Sequence, residues 1–319
     1  MSALTSEHPD WESWEREVLN QKGWTVADTL RHYMKSLWSD KLAFAAALVL
    51  LVVLGAALFA PLLTHYLPGK GNILDAGEPM FAPGHFLGTD PLGRDLWTRL
   101  VYGARVSLRV GAVVVLVAGA IGTTVGLLAG FYGRWVDQLV MRLVDIQFAF
   151  PGTLVALAFV LVLGAGERNL VIALAFNGWM VYARMIRGLV MTMREGPMVE
   201  AARALGIWPR RIIFRHVFPN VLSPMINLYV LEVARIILAE SVLSFLGFGI
   251  QPPNSSWGLM IAEGRNYITV EPHLVVIPGL AIGFTVLALN IVSNWFLGAS
   301  DPVLRKALEL KRLSKGAQA

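Results

Sequence analysis

Two glutamates and an arginine, Glu232, Arg235 and Glu240, interrupt an apolar run near residues 221–248. A charge at mid-bilayer costs at least ~2.5–3.5 kcal/mol on insertion scales, so each such residue needs a partner or a task. Glu232 and Arg235 stand three positions apart on one helical face and are expected to neutralise each other as a structural ion pair. Glu240 has no such partner in its own helix. Arg109 or Arg168, near the ends of other apolar runs, could reach it, and it is expected to face water or a translocation path. An alternative gives Glu232 or Glu240 the task of a proton site in a stand-alone secondary transporter. Other chemistry lacks its residues. The chain has no cysteine, which excludes thiolate metal sites and cysteine nucleophiles. A phosphate-binding loop is missing: Pro68-Gly69-Lys70-Gly71 lacks the glycine spacing and the hydroxyl that would hold magnesium. His-Glu-x-x-His and Gly-x-Ser-x-Gly are missing as well, and no nucleophile–base pair supports an intramembrane enzyme. We assign no catalytic residue and no metal ligand.

The elements that hold these residues follow from composition. Of 319 residues, 55% are apolar and 15% charged, and the mean hydropathy is +0.58. Soluble domains carry about 25% charge, so the surplus apolar surface is expected to face lipid. The net charge of +5 gives nucleic acid no case as a partner. Charge-free stretches run from Leu42 to Gly69, Val110 to Gly133, Ile146 to Gly166 and Pro272 to Ser300, each long enough to span. A shorter stretch after Asn169 reaches that length if Arg184 snorkels to the interface. The expected fold is an all-α integral membrane protein with six transmembrane helices, near 42–63, 106–131, 146–166, 169–187, 221–248 and 274–297. Most Lys and Arg fall in the N-terminal tail, the 188–220 loop and the C-terminal tail, which predicts both termini on the cytoplasmic side. The chain does not open on a signal-peptide pattern, so the first apolar run is expected to be a retained helix.

The organisation is then a cytoplasmic N-terminal amphipathic tail over 1–41, a first helix and outer loop over 42–105, a five-helix core over 106–297, and a cytoplasmic tail over 298–319. In the first tail Trp11, Trp14, Val18, Trp24, Leu30, Met34, Leu37 and Trp38 have helical spacing, suited either to the membrane surface or to docking a partner subunit. Ala118, Gly122, Gly126 and Gly130 put a small residue at every fourth position, which reads as a packing seam. Asp90-Pro91 reads as a helix start, with a short helix over about 91–104 anchored at the outer interface by Trp97 and Tyr102.

The loop over 188–220 reads Glu200-Ala201-Ala202-Arg203-Ala204-Leu205-Gly206-Ile207-Trp208-Pro209 at its centre and His216-Val217-Phe218-Pro219-Asn220 at its end. Met198 to Leu205 favours a helix that Gly206 closes in a left-handed conformation. Pro209 then starts a second helical stretch over 209–217, with Arg210, Arg211 and Arg215 available to phosphate headgroups or an acidic partner.

This loop resembles the cytoplasmic loop shared by permease subunits of bacterial ABC importers, although His216-Val217-Phe218-Pro219 departs from the usual Ile-x-Leu-Pro ending. Arg215 to Asn220, Leu87 to Asp95, Glu240 to Gly249, Gln251-Pro252-Pro253 and Ser256-Trp257-Gly258 are similar to the dipeptide, oligopeptide, nickel and opine branch, over about 85–260. The long tail and the Gly-Thr-Asp motif resemble its second, C-type permease. Asp301-Pro302-Val303-Leu304-Arg305 resembles the closing Asp-Pro-Arg-Leu-Arg of that branch, with Val303 in place of the first arginine.

The resemblance implies a type I ABC importer permease in the bacterial cytoplasmic (inner) membrane. Glu200, Ala201, Ala202, Arg203, Gly206, Pro209, Arg210, Arg211 and Arg215 would form the loop that couples to ATPase subunits. Glu240, Ser241, Phe245 and Trp257 would belong to the pathway or outer gate, in a hairpin set up by Gly247, Gly249 and Pro252-Pro253. The implied partners are a second homologous permease, two ATPase subunits, an extracytoplasmic substrate-binding protein and membrane lipid. No cofactor is expected on this chain; ATP and Mg would sit on the ATPases.

Overall fold

The computed structural model describes residues 26–300, and regular structure among these is helical. Trp11, Trp14, Val18, Trp24 and the Asp301–Arg305 motif lie outside the described residues. Helix α1, Val26–Ser39, precedes α2, Lys41–Leu58, which starts where the Asp40 carboxylate accepts from the amides of Leu42 (3.0 Å) and Ala43 (3.1 Å). The Tyr33 ring stacks on Phe296 and meets Trp295 edge-on, so α1 docks on the last described helix of its own chain, an occupant that neither sequence reading of the tail included. A short helix α3, Ala60–Leu63, leads into an irregular segment.

Helix α4, Leu96–Tyr132, has 37 residues, about 55 Å at 1.5 Å per residue and far longer than a ~30 Å hydrocarbon layer. It absorbs the expected 91–104 helix and the expected 106–131 span into one rod. Its cap is Asp95, whose carboxylate accepts from the Thr98 amide at 2.7 Å, and not Asp90. Asp90 closes a turn instead: one carboxylate oxygen accepts from the amides of Leu92 (2.9 Å) and Arg94 (3.0 Å), and the other from the Arg94 and Arg99 guanidinium groups.

The expected 146–166 span is corrected too. Arg134–Phe148 forms α5 and Gly152–Leu163 forms α6, bent 87° apart. Pro151, which has no amide hydrogen to donate, stands at the break. Helix α6, at 12 residues or about 18 Å, is too short to cross alone. Helix α7, Glu167–Arg194, overruns the expected 169–187 at both ends. Its Arg184, which the sequence would leave to snorkelling, pairs with Asp145 of α5, and Arg187 pairs with Asp137 at 2.6 Å.

Two short helices follow, α8, Pro197–Ala204, and α9, Pro209–Ile212. A π-helical turn at Ile213–Val217 continues from α9 into α10, Phe218–Phe245. Helix α11, Trp257–Gly264, and α12, His273–Ser300, complete the described chain. By length and composition four helices can cross a membrane, or six if each bent pair is one span: α5 with α6, and Pro209–Leu222 with Pro224–Phe245, which meet at a 53° bend inside α10.

Helices α4 and α7 form the central pair, and the small-residue stripe is their seam. A methyl group on Gly126 would lie 2.6 Å from the Ala183 carbonyl oxygen, and one on Gly130 2.8 Å from that of Arg187. Only hydrogen at these positions lets the backbones approach so closely, which is how helices associate where lipid removes the hydrophobic drive. On α2, by contrast, Leu48, Leu51, Val52 and Leu54 are exposed, a surface suited to lipid.

Candidate functional site

The end of the bundle at which α4 stops and α7 passes into α8 carries the 188–220 loop. Pro197 opens α8, and the backbone closes it with a complete Schellman motif. The Ile207 amide donates to the Ala202 carbonyl (3.1 Å), the Gly206 amide donates to that of Arg203 (2.9 Å), and Gly206 holds φ +71°. One face of α8 is anchored. Val199 and Ala202 are buried with Ile186 and Val190 of α7, Leu127 and Phe131 of α4, and Ile212, Ile213 and Val217 beyond the turn.

The other face is bare. Glu200, Ala201, Arg203, Pro209, Arg210, Arg211 and Arg215 are exposed, and so is Gly206. Leu205 and Trp208 are each 80% exposed and Phe214 69%. These large apolar side chains stand among arginines, the composition of an interface core with a charged rim. The sequence reading named Glu200 to Arg203, Gly206, Pro209 and the arginines of this loop but omitted Leu205, Trp208 and Phe214, because an isolated apolar residue in a loop does not say whether it will be covered.

At the opposite end the structure corrects the role expected for Glu240. Its side chain is wholly buried, accepting from Ser107 of α4 at 3.1 Å and from Ser244 at 2.6 Å. It faces neither water nor Arg109, which pairs with Glu167 at 2.7 Å. Ser244 also accepts from the Ile250 amide at 3.1 Å, binding the turn after α10 to the same carboxylate. Ser241 is buried and donates to the Ile237 carbonyl at 2.8 Å. Trp257 is buried and donates its indole N–H to the Leu100 carbonyl at 3.0 Å, while Ser255 donates to that of Arg99. Two of the four residues expected at a gate, Glu240 and Trp257, therefore fasten α10 and α11 onto α4 inside the chain, and Ser241 is buried with its hydroxyl turned back on its own helix. Phe245 alone of the four is exposed, with the Arg265 guanidinium 5.5 Å from its ring centroid.

Glu232 accepts from Arg235 through both carboxylate oxygens, at 2.6–3.0 Å. Next to the α11 contact lies a cluster that the sequence did not signal. Asp90 accepts from Arg94 (2.6 Å) and Arg99 (2.5 Å), and Glu263 of α11 accepts from Arg94 (2.9 Å) and from Arg99. Asp90 and Arg94 are four positions apart and readable as a pair, but Glu263 comes from a distant segment. Among the described residues no group of three or more His, Asp or Glu could hold a metal ion.

Residues 122–306 match the family described as "Binding-protein-dependent transport system inner membrane component". That stretch holds the seam from Gly122 onward, the bare α8 and Glu240. The chain belongs to this family. It is similar to the dipeptide transport system permease protein DppC of Alkalihalophilus pseudofirmus, 39% identical over 282 residues, covering 88% of this chain and 92% of that one. The glutathione transport system permease protein GsiD of Pectobacterium atrosepticum is 38% identical over 283 residues, covering 88% and 93%. GsiD of Escherichia coli O157:H7 is 36% identical over 300 residues, covering 92% and 98%. As a member, the protein is an ABC importer permease of the dipeptide and oligopeptide type, a transport subunit whose helices suit a multi-pass inner-membrane location.

Proposed function

We propose that this chain forms a translocation pathway with a second homologous permease and takes its energy from two ATPase subunits that bind ATP and Mg. It would receive cargo from an extracytoplasmic substrate-binding protein. In this reading six spans cross the membrane and both termini are cytoplasmic, which places the arginine-rich loop on the ATPase side. The observation that carries the proposal is the bare face of α8: a helix opened by Pro197 and closed at Gly206, packed through Val199 and Ala202, with Leu205 and Trp208 uncovered. A partner that seats on this face pushes directly on Ile186 and Val190 of α7.

The push then has a route. The glycine seam lets α7 and α4 move as one body, and α4 is tied at its far end to α11 and α10 through Trp257, Ser255 and Glu240. A displacement at α8 would reach the outer closure by rigid-body motion, which requires no charge to move across the membrane. The relatives' names, for a dipeptide and for glutathione, favour a short peptide cargo with free amino and carboxyl groups. The proton-driven alternative loses ground because Glu232 is held by Arg235 and Glu240 is sealed among hydroxyls.

The test is ATP-dependent uptake by the reconstituted complex. Gly206→Pro cannot adopt φ +71°, and Glu200→Arg reverses a charge on the bare face. Each is expected to abolish uptake while the chain still inserts in the membrane. Undiminished uptake by both variants would overturn the coupling role.

A further inference from the structure

Beside α8 lies a cavity of about 540 Å³ lined by Phe131 and Tyr132 from the end of α4, Arg134 from the start of α5, Arg194 and Glu195 after α7, and Glu200 and Arg203 from α8. Three guanidinium groups meet two carboxylates there, leaving a positive excess. Arg194 donates to the Phe131 carbonyl (3.4 Å) and stands 3.6 Å from Glu195, whose side chain is 73% exposed and so holds it weakly. The Arg203 guanidinium lies 5.6 Å from the Phe131 ring centroid, and neither Arg203 nor Arg134 has an ion-pair partner among the described residues. Arg134 also holds φ +50°, a conformation that a bulky residue rarely occupies.

An apolar strip begins at the cavity mouth. Tyr132 and Trp135 are exposed next to it, and Leu139, Leu143 and Ile146 continue along the exposed face of α5. Aromatic residues of this kind sit at headgroup depth, and an apolar stripe beyond them suits acyl chains. We propose that the cavity binds the phosphate of an anionic phospholipid, with its acyl chains along α5. Arginine suits this ligand because its planar fork donates two parallel hydrogen bonds to phosphate. A free phosphate would use the same guanidinium groups but leave the strip from Trp135 to Ile146 without an occupant. Because Arg203 belongs to α8, the bound lipid would set the resting position of the helix that receives the ATPase. This inference rests on the cytoplasmic placement of the loop given above.

The test measures phosphatidylglycerol retained by the full chain after extraction from vesicles of phosphatidylcholine with phosphatidylglycerol, read by native mass spectrometry without nucleotide. The wild type is expected to retain phosphatidylglycerol in preference to phosphatidylcholine. Arg203→Gln and Arg134→Gly are each expected to weaken retention about fivefold. Glycine is at ease at φ +50°, so Arg134→Gly removes the cation without straining the fold. Gly206→Pro should keep its lipid even where uptake fails, which separates this inference from the coupling role. Equal retention by Arg134→Gly and wild type would overturn the site. Displacement of the lipid by excess inorganic phosphate would reassign it to a soluble anion. Loss of ATPase subunits from the arginine variants, with lipid retained, would reassign it to protein docking.

Discussion

Gly126→Val forces α4 and α7 apart at the seam. The new Cβ would lie 2.6 Å from the Ala183 carbonyl oxygen and 3.0 Å from the Ile186 Cβ. A carbon–oxygen approach is comfortable from about 3.3 Å, so the first atom alone demands a shift of roughly 0.7 Å. Two further methyl groups then need space between backbones that cannot flex as a side chain would. Overpacking costs about 1–3 kcal/mol, and a backbone obstacle puts this case near the top of that range. Valine recovers only a few tenths of a kcal/mol over glycine in helix propensity. The net loss of about 2 kcal/mol should lower the melting midpoint of the purified protein by roughly 3 °C. Gly188→Val is the control on α7, since a Cβ there meets nothing within 4 Å and the site is exposed. It should leave the midpoint near that of the wild type. Equal midpoints for the two variants would refute the claim that backbone proximity, and not composition, assigns glycine to the stripe.

Other outcomes follow from the same contacts. Gly206→Ala should retain partial uptake where Gly206→Pro retains none: its Cβ meets nothing within 4 Å, so the left-handed conformation at a cost of about 1 kcal/mol is the whole penalty. Asp90→Ala leaves Arg94 and Arg99 short of a buried partner and should cost about 3 kcal/mol in thermal stability, whereas the part-exposed Glu263→Ala should cost less. Ser107→Ala removes one of the two hydroxyls donating to the buried Glu240 carboxylate and should destabilise by about 1–3 kcal/mol in the same melting assay. ATP-dependent uptake in reconstituted vesicles should survive collapse of the proton gradient by a protonophore; abolition would return Glu232 or Glu240 to a proton-coupled role.

How much was legible depended on the range of the interaction. The seam was readable at Ala118, Gly122, Gly126 and Gly130 because a four-residue period is a property of one helix, whatever lies against it. Gly206 was readable for the same reason: a helix former followed by glycine and a β-branched residue writes a local cap. Asp90-Pro91 misled, because the carboxylate does accept from the amides that follow it, at Leu92 and Arg94, but these belong to a turn, and the helix starts only after the second carboxylate, Asp95. The 146–166 stretch does not form the single helix expected of it, because absence of charge measures solubility in lipid and not straightness, and Pro151 broke the rod.

Composition, spacing and local conformational preference determined that this chain is a helical membrane protein, that α4 has a face for close packing, and that a capped helix stands in the 188–220 loop. These properties need only neighbours along the backbone. Which side of each helix found a partner was decided by the assembled bundle. Glu240 became an internal anchor because Ser107, from a helix far away in the chain, arrived within hydrogen-bonding distance. Leu205 and Trp208 stayed uncovered because no element of the described chain reached them. Pair energies between remote segments depend on coordinates in three dimensions, and those come from the whole packing problem at once.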